Sequence, residues 1–493
     1  EIAVRIQRTA HEMGIRTVAI YAEGDANAPF VKGADIAIPL KGRSSAETYL
    51  DVNQVLAACK SSGADAVHPG YGFLSENDVF AQAVEDAGMI WVGPSVDVIA
   101  KMGDKLSAKQ LMEQAGVPVL SSVEIDGNSD HKHHAKELGY PILVKASAGG
   151  GGRGMRVVEN EAELDEAIES AKREAKAAFG NDTVFLERWL TSTRHIEIQI
   201  LGDTQGKVVH CFERECSIQR RHQKIIEEAP SPAVSEELRA RMGAAAVSAA
   251  KSMGYYSTGT VEFLLSGDLF YFLEVNTRLQ VEHPVTEEIT GLDLVREQLR
   301  IAQGEALGFT QEDLSINGHA IEARLYAEDP GNNFLPSPGS IAVWQPSLIK
   351  GVRFDTGVEA GSEIGIEFDP MIAKVIVHAP TRKEAAARLR RVLETTRLQG
   401  LTSNKHFLIE TLRTPEFLAA DTTTDFIERV QPKRETEFSP LVINRAVIAV
   451  AVELRARRQA SAKVLSTIPR GWRNTKMPLD ITGFIVGGND VEL

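Results

Sequence analysis

Between Thr260 and Glu282 the sequence specifies a hairpin followed by a one-sided polar face. Thr260–Leu265 and Leu269–Asn276 are β-rich runs separated by Ser266, Gly267 and Asp268, the pattern of two antiparallel strands joined by a short Gly-containing loop. From Glu274 the run E-V-N-T-R-L-Q-V-E sets Glu274, Asn276, Arg278, Gln280 and Glu282 on alternate positions. Held extended, it points two carboxylates, two amides and a guanidinium to one side, and Val275, Leu279 and Val281 to the other. A solvated one-sided sheet produces the same alternation. Pairing Leu265 with Leu269 makes Glu262 and Glu274 diagonal neighbours on one face. Carboxylates that close repel, and a divalent cation removes the conflict; Mg²⁺ is served by one or two carboxylates, an amide oxygen, waters and substrate phosphates.

At 493 residues, 43% hydrophobic and 25% charged, the chain can bury several cores, so more than one domain is expected. A formal net charge of −14 argues against a general nucleic-acid or anionic-membrane binder, while leaving room for local basic phosphate sites. Cys59, Cys211 and Cys216 show no metal-ligand spacing and are too few to staple a chain this long, so a reducing, intracellular setting is expected. No apolar run reaches transmembrane length. Neither an initiator Met nor a signal peptide precedes Glu1, which fits the cytoplasm and leaves the mitochondrial matrix open.

Helix-like Ile2–Met13, a strand at Thr17–Tyr21, a helix over Leu50–Cys59 and a strand at Ala64–Val67 alternate as in a parallel α/β domain. Asp104 should cap a helix over Lys105–Ala115 that stops at Gly116. Gly149, Gly151 and Gly154 formally satisfy G-x-G-x-x-G. A dinucleotide fingerprint needs a helix at once, however, and Met155–Val158 is strand-like, with the next helix capped by Asn160 and Glu163. No Lys-Ser or Lys-Thr follows, so a P-loop is excluded. A strand, Gly-rich turn, strand remains: either a flexible surface hairpin or one whose N–H groups close over phosphates. Cys216–Lys224 gathers Gln219, Arg220, Arg221, His222 and Lys224, a solvated basic loop or an anion site.

Read together, E-I-A-V-R-I, H-P-G-Y-G-F-L-S-E-N, M-G-D-K, K-A-S-A-G-G-G-G-R-G-M, R-H-I-E-I-Q, the Cys216–Lys224 run, E-V-N-T-R-L-Q-V-E-H-P-V-T-E and F-L-P-S-P-G resemble the biotin carboxylase component of biotin-dependent carboxylases, an ATP-grasp family, over about Glu1 to Val430. The resemblance implies α/β and α+β architecture. A doubly wound α/β domain over 1–103 precedes an ATP-grasp domain over 104–315, with a mobile Gly-rich lid at about 117–187. An α+β C-terminal domain over 316–430 and an incomplete linker over 431–493 follow.

It also implies roles. Lys105 and Lys145 would contact ATP phosphates beneath Gly151 and Gly152 of the lid. Glu187 and Leu190 would edge the adenine, and His195, Gln219 and His222 would contact the nucleotide. Glu262, Glu274 and Asn276 would hold Mg²⁺ or Mn²⁺. Lys224, Arg278 and the Val281 backbone would hold bicarbonate, Glu282 would act as its base, and Arg324 would stabilise the biotin enolate. In the implied reaction bicarbonate attacks the γ-phosphate to give carboxyphosphate and ADP. Carboxyphosphate breaks to CO₂ and phosphate, phosphate removes the N1′ proton of biotin, and the enolate captures CO₂. A biotin carrier domain and a carboxyltransferase subunit are the implied partners, in an oligomeric complex.

Gly471–Asn474 is similar to the acyl-CoA carboxylase α subunits of this family. The usual opening strand is absent before Glu1, and Lys476-Met477 lacks a preceding Met, so biotin is expected on a separate carrier. Pyruvate or urea carboxylases are the alternatives within the family. Outside it stand a different ATP-grasp ligase, which should lack Arg324 in its context, and a non-catalytic subunit, which should lack metal or bicarbonate residues.

Overall fold

The computed structural model describes residues 1–125, 130–147, 155–220, 223–435, 438–464, 481–486 and 489–492, in two units, Glu1–Arg434 and Glu435–Leu493. In the first, the hairpin forms the edge of an eight-stranded antiparallel sheet that carries most of the site. Its strands are β1 (Arg194–Gly202), β2 (Val208–Arg220), β3 (Gln223–Ala229), β4 (Ser257–Ser266), β5 (Leu269–Asn276), β6 (His319–Tyr326), β7 (Val352–Thr356) and β8 (Met371–Ala379), in spatial order β5-β4-β1-β2-β3-β6-β8-β7. Because β3 pairs with β6, one ladder runs from the metal-face hairpin into the expected C-terminal domain. The helix Glu236–Ser252 covers one part, laying Leu238, Met242, Ala246 and Ala249 along one stripe. The helix Arg382–Thr395 covers another with Ala385, Leu389 and Val392. Central strands are therefore buried on both faces, and their polar side chains must find partners inside the protein.

Two expectations for the hairpin are corrected. Its connection is two residues long, so Ser266 faces Leu269 and Leu265 faces Phe270; Gly267, at φ +59°, supplies the left-handed turn. A bulge between Glu262 and Phe263 then sets Glu262 directly opposite Glu274, closer than the diagonal relation expected. The strand also stops at Asn276 instead of running to Glu282. Pro284 favours the first turn of the helix His283–Thr290, which Glu282 opens as N-cap residue.

The Gly-rich segment does connect antiparallel strands, Ile142–Ala146 and Met155–Val158; Gly149, Gly151, Gly152 and Gly154 lie outside the described residues. With Ser122–Ile125 and Val184–Arg188 these strands form a separate four-stranded sheet. The helix Glu161–Phe179, capped by Asn160, closes a core of its own over it. The N-terminal strands form two parallel pairs, Val18–Tyr21 with Ile36–Pro39 and Ala66–Val67 with Ile90–Trp91, in place of one continuous doubly wound ladder. The helix expected from Leu50 begins at Val52, because the Asp51 carboxylate accepts from the N–H groups of Asn53 and Gln54. Asp104 caps Lys105–Gln114 as expected.

In the second unit, Pro440–Ala460 is a helix and Gly483–Val486 pairs with Asn489–Glu492. Gly471–Asn474, Lys476 and Met477 lie outside the described residues. Among the described residues no helix is long and apolar enough to cross a membrane.

His68, in the H-P-G-Y-G-F segment, is held neutral. Its Nδ1 accepts from the Gly70 N–H at 3.0 Å, leaving Nε2–H to donate to Gln298 Oε1 at 3.2 Å. Burial first, then the charge of Arg5, lowers its pKa from 6.5 to about 4 against the opposing hydrogen bonds. The unfolded chain therefore binds a proton before the folded one as pH falls, and stability drains away between about pH 6.5 and 4. Urea midpoints should fall from pH 7 to pH 5, and His68→Gln should flatten that slope; an unchanged slope would remove His68 as its source.

Candidate active site

β4 and β5 bring Glu262 and Glu274 face to face, and His195 from β1 places Nε2 at 2.9 Å from Glu262 Oε2. Asn276 donates from Nδ2 to Glu262 Oε1 at 2.9 Å. Burial, then the nearby Glu262 charge, raises the Glu274 pKa, with Lys105 pulling the other way. Burial works on Glu262 too, but Lys224 and His195 outweigh it and hold that carboxyl well below its ordinary value. A divalent ion between the pair would relieve the repulsion, so these residues fit the metal expected here. In this structure the Asn276 Oδ1 accepts from Arg278 Nη2 at 2.8 Å, so the amide would turn from the guanidinium to serve as a ligand.

Lys224, on β3, is the hub. Its ammonium lies 2.6 Å from Glu197, 2.8 Å from Glu262 and 2.6 Å from Glu282. Glu282, fully buried, also accepts from Arg324 Nη2 at 3.0 Å. Burial would raise its pKa, yet Lys224, Arg324 and Arg214 together hold it far below the usual carboxylate range, so it is ionised at neutral pH. Arg324, on β6, donates from Nε to Glu227 Oε1 on β3 at 2.6 Å. The Val281 carbonyl accepts from Lys374 Nζ at 2.7 Å, which fixes the peptide that precedes Glu282.

Toward the lid, Lys145 bonds Glu187 at 3.0 Å, and Lys109 grips the other oxygen of the same carboxylate. The Glu187 side chain thus anchors two ammonium groups. Leu190 follows in the half-buried segment after that strand. Lys105 opens the helix Lys105–Gln114, where the Glu274 and Lys145 charges act on it. Gln219 Nε2 lies 2.9 Å from His195 Nδ1, while His222 falls outside the described residues.

Sequence reasoning left several members unassigned. Glu76, inside the H-P-G-Y-G-F-L-S-E-N segment, accepts from Arg278 Nε at 2.9 Å. Glu197 lies in a run read only as a motif, R-H-I-E-I-Q, and Glu227 lies three residues beyond the Cys216–Lys224 run. Lys109 is one turn from Lys105, an i,i+4 relation that was available as a signal.

Three family profiles cover the first unit in order: "Biotin carboxylase, N-terminal domain" over residues 1–99, "Carbamoyl-phosphate synthase L chain, ATP binding domain" over 104–310 and "Biotin carboxylase C-terminal domain" over 322–429. "Biotin carboxylase 2" of Bacillus subtilis is 50% identical over 432 residues, 87% of this chain and 97% of that protein. The chain belongs to the biotin carboxylase family. As a family member it is an ATP-dependent ligase of ATP-grasp fold. The propionyl-CoA carboxylase alpha chain of Ruegeria pomeroyi is 44% identical over 93% of this chain and 72% of its own length. A crystal structure of the biotin carboxylase domain of Hydrogenobacter thermophilus 2-oxoglutarate carboxylase, in complex with MgADP, ADP and bicarbonate, superposes with a TM-score of 0.85 at 45% identity, covering 87% of this chain and 95% of that one. This chain spans about 60% of the length of the methylcrotonoyl-CoA carboxylase α subunits of mouse and rat that it also matches.

Proposed function

We propose that this biotin carboxylase carboxylates the N1′ of biotin on a carrier domain, using bicarbonate and ATP, as the first half-reaction of an acyl-CoA carboxylase whose carboxyltransferase is another subunit. The reading rests on the position of Glu282, a buried carboxylate held between Lys224, which also grips the metal-face Glu262, and Arg324, which is tied to Glu227. One carboxylate thus stands between a phosphate-transfer side and a second cationic side.

The chemistry follows from that placement. Lys224 and Arg278 hold bicarbonate, whose negative charge grows as it attacks phosphorus, and Glu282, already ionised, accepts its proton. The Val281 backbone completes the anion's cradle. Lys105 and Lys145 neutralise the nucleotide phosphates, and Leu190, His195 and Gln219 border the nucleotide; Gly151, Gly152 and His222, outside the described residues, keep the roles that the resemblance implies. Glu262, Glu274 and Asn276 would hold Mg²⁺ or Mn²⁺, which would supply positive charge against that developing on the phosphates. Arg324, the cation farther along the sheet, faces the biotin ureido oxygen as its negative charge forms. The domain divisions at 103, 315 and 430 remain our reading, with the shared ladder crossing the second of them. The acyl-CoA reading is supported by the Gly471–Asn474 segment and by the propionyl-CoA relative, whose match runs over 488 residues.

The purified chain, given Mg-ATP, free biotin and ¹⁴C-bicarbonate, should release ADP only when bicarbonate is present and should label biotin. Bicarbonate-independent ADP release without labelled biotin would overturn the assignment. Adding the carboxyltransferase that co-purifies should transfer the label to acetyl-, propionyl- or methylcrotonyl-CoA; transfer to pyruvate would refute the acyl-CoA reading.

A further inference from the structure

Beneath Arg324 the sheet holds a pair of carboxyls that the reaction as described does not use. Glu227 on β3 and Glu322 on β6 are direct cross-strand partners, and both are wholly buried. Such opposed residues have Cβ atoms roughly 5 Å apart, within carboxyl reach of each other. Glu227 Oε1 accepts from Arg324, but Glu227 Oε2 and both oxygens of Glu322 have no hydrogen-bond partner among the described residues. Two carboxylates set face to face and buried from solvent repel one another strongly. Each nearby cation is engaged elsewhere: Arg324 with Glu227 and Glu282, Lys224 with Glu197, Glu262 and Glu282, and Lys374 with Val281 O, Glu1 and Asp355. A carboxyl that keeps its proton can instead donate to the other, which satisfies orphaned oxygens on both.

We propose that Glu322 is a protonated carboxylic acid that donates to Glu227 Oε2, and that this hydrogen bond keeps Glu227 ionised and aimed at Arg324, making Glu322 a positioning residue for the biotin step. Burial, the strongest influence on both, raises both pKa values; for Glu227 the Arg324 charge opposes this and the value settles at about 7, while Glu322 is raised well above its ordinary range. The proton therefore resides on Glu322. A neutral donor there leaves Arg324 its two anionic partners, Glu227 and Glu282, and spares it a third. The proposal rests on the assignment of Arg324 to the biotin step, and its test separates the two.

Infrared difference spectra of the full chain at pH 8, wild type against Glu322→Gln, should show the carbonyl stretch of a protonated carboxylic acid that the variant lacks. Glu322→Gln, whose amide still donates, should carboxylate biotin within about threefold of wild type. Glu322→Leu should lose kcat for carboxylation by at least about tenfold, the equivalent of one charge-assisted hydrogen bond, with KM for ATP unchanged. Absence of the infrared band, or its survival in Glu322→Gln, overturns the pair; this arm uses an isosteric substitution and stands even if the leucine variant does not fold. Wild-type carboxylation by a folded Glu322→Leu overturns the positioning role. The band present, but with ADP release and carboxylation falling equally in Glu322→Leu, overturns the placement of Arg324 in the biotin step.

Discussion

Arg324→Ala should lose biotin carboxylation by roughly 10²–10³-fold, the range seen when one preorganised donor to a developing anion is removed. Bicarbonate-dependent ADP release should fall less, by about tenfold or under. The asymmetry follows from position. Arg324 reaches Glu282 through one guanidinium nitrogen, at 3.0 Å, and Glu227 through another. Its loss therefore loosens the bicarbonate base without removing Lys224, which still holds Glu282 at 2.6 Å. Arg278→Ala and Glu282→Gln act earlier and should abolish both signals together. ADP release measured beside ¹⁴C fixation onto biotin separates these outcomes. Equal loss of both in a folded Arg324→Ala would move Arg324 into the bicarbonate site.

Glu274→Gln should slow nucleotide cleavage by about 10²-fold or more while leaving the thermal midpoint nearly unchanged. Glu274 is half-buried and faces Glu262 across the ladder. Replacing one of two repelling carboxylates removes a metal ligand but also relieves the repulsion, so stability should hold or rise slightly. Activity that returns at high Mn²⁺ would fit a weakened metal site. Full activity at ordinary Mg²⁺ would remove Glu274 from it.

Much of this site could be read from the chain before its geometry was known. The two strands of the metal face follow from β-rich runs and a glycine, and the cap at Asp104 from a polar side chain ahead of a helical period. Register was not legible. A bulge between Glu262 and Phe263 has no compositional mark, yet it decides whether the two carboxylates sit diagonally or face to face. Alternation through Glu282 suggested one long strand because polar residues on every second position also suit a loop that folds back over a polar cavity. The ion pairs of Glu187 were hidden for another reason: its partners, Lys109 and Lys145, lie 78 and 42 residues away, and no local pattern records such a meeting. Glu227 and Glu322 likewise carry meaning only once β3 lies beside β6.

That last juxtaposition bears on how the protein comes to be active. Glu227 and Arg324 are 97 residues apart in sequence, and β3 acquires its second neighbour only when β6 adds to the ladder. Closing so long a loop is a late and entropically costly event on a folding route. A nascent chain that has emerged only as far as the metal-face hairpin lacks the strand that carries Arg324, so the capacity to carboxylate is acquired with the closing strands.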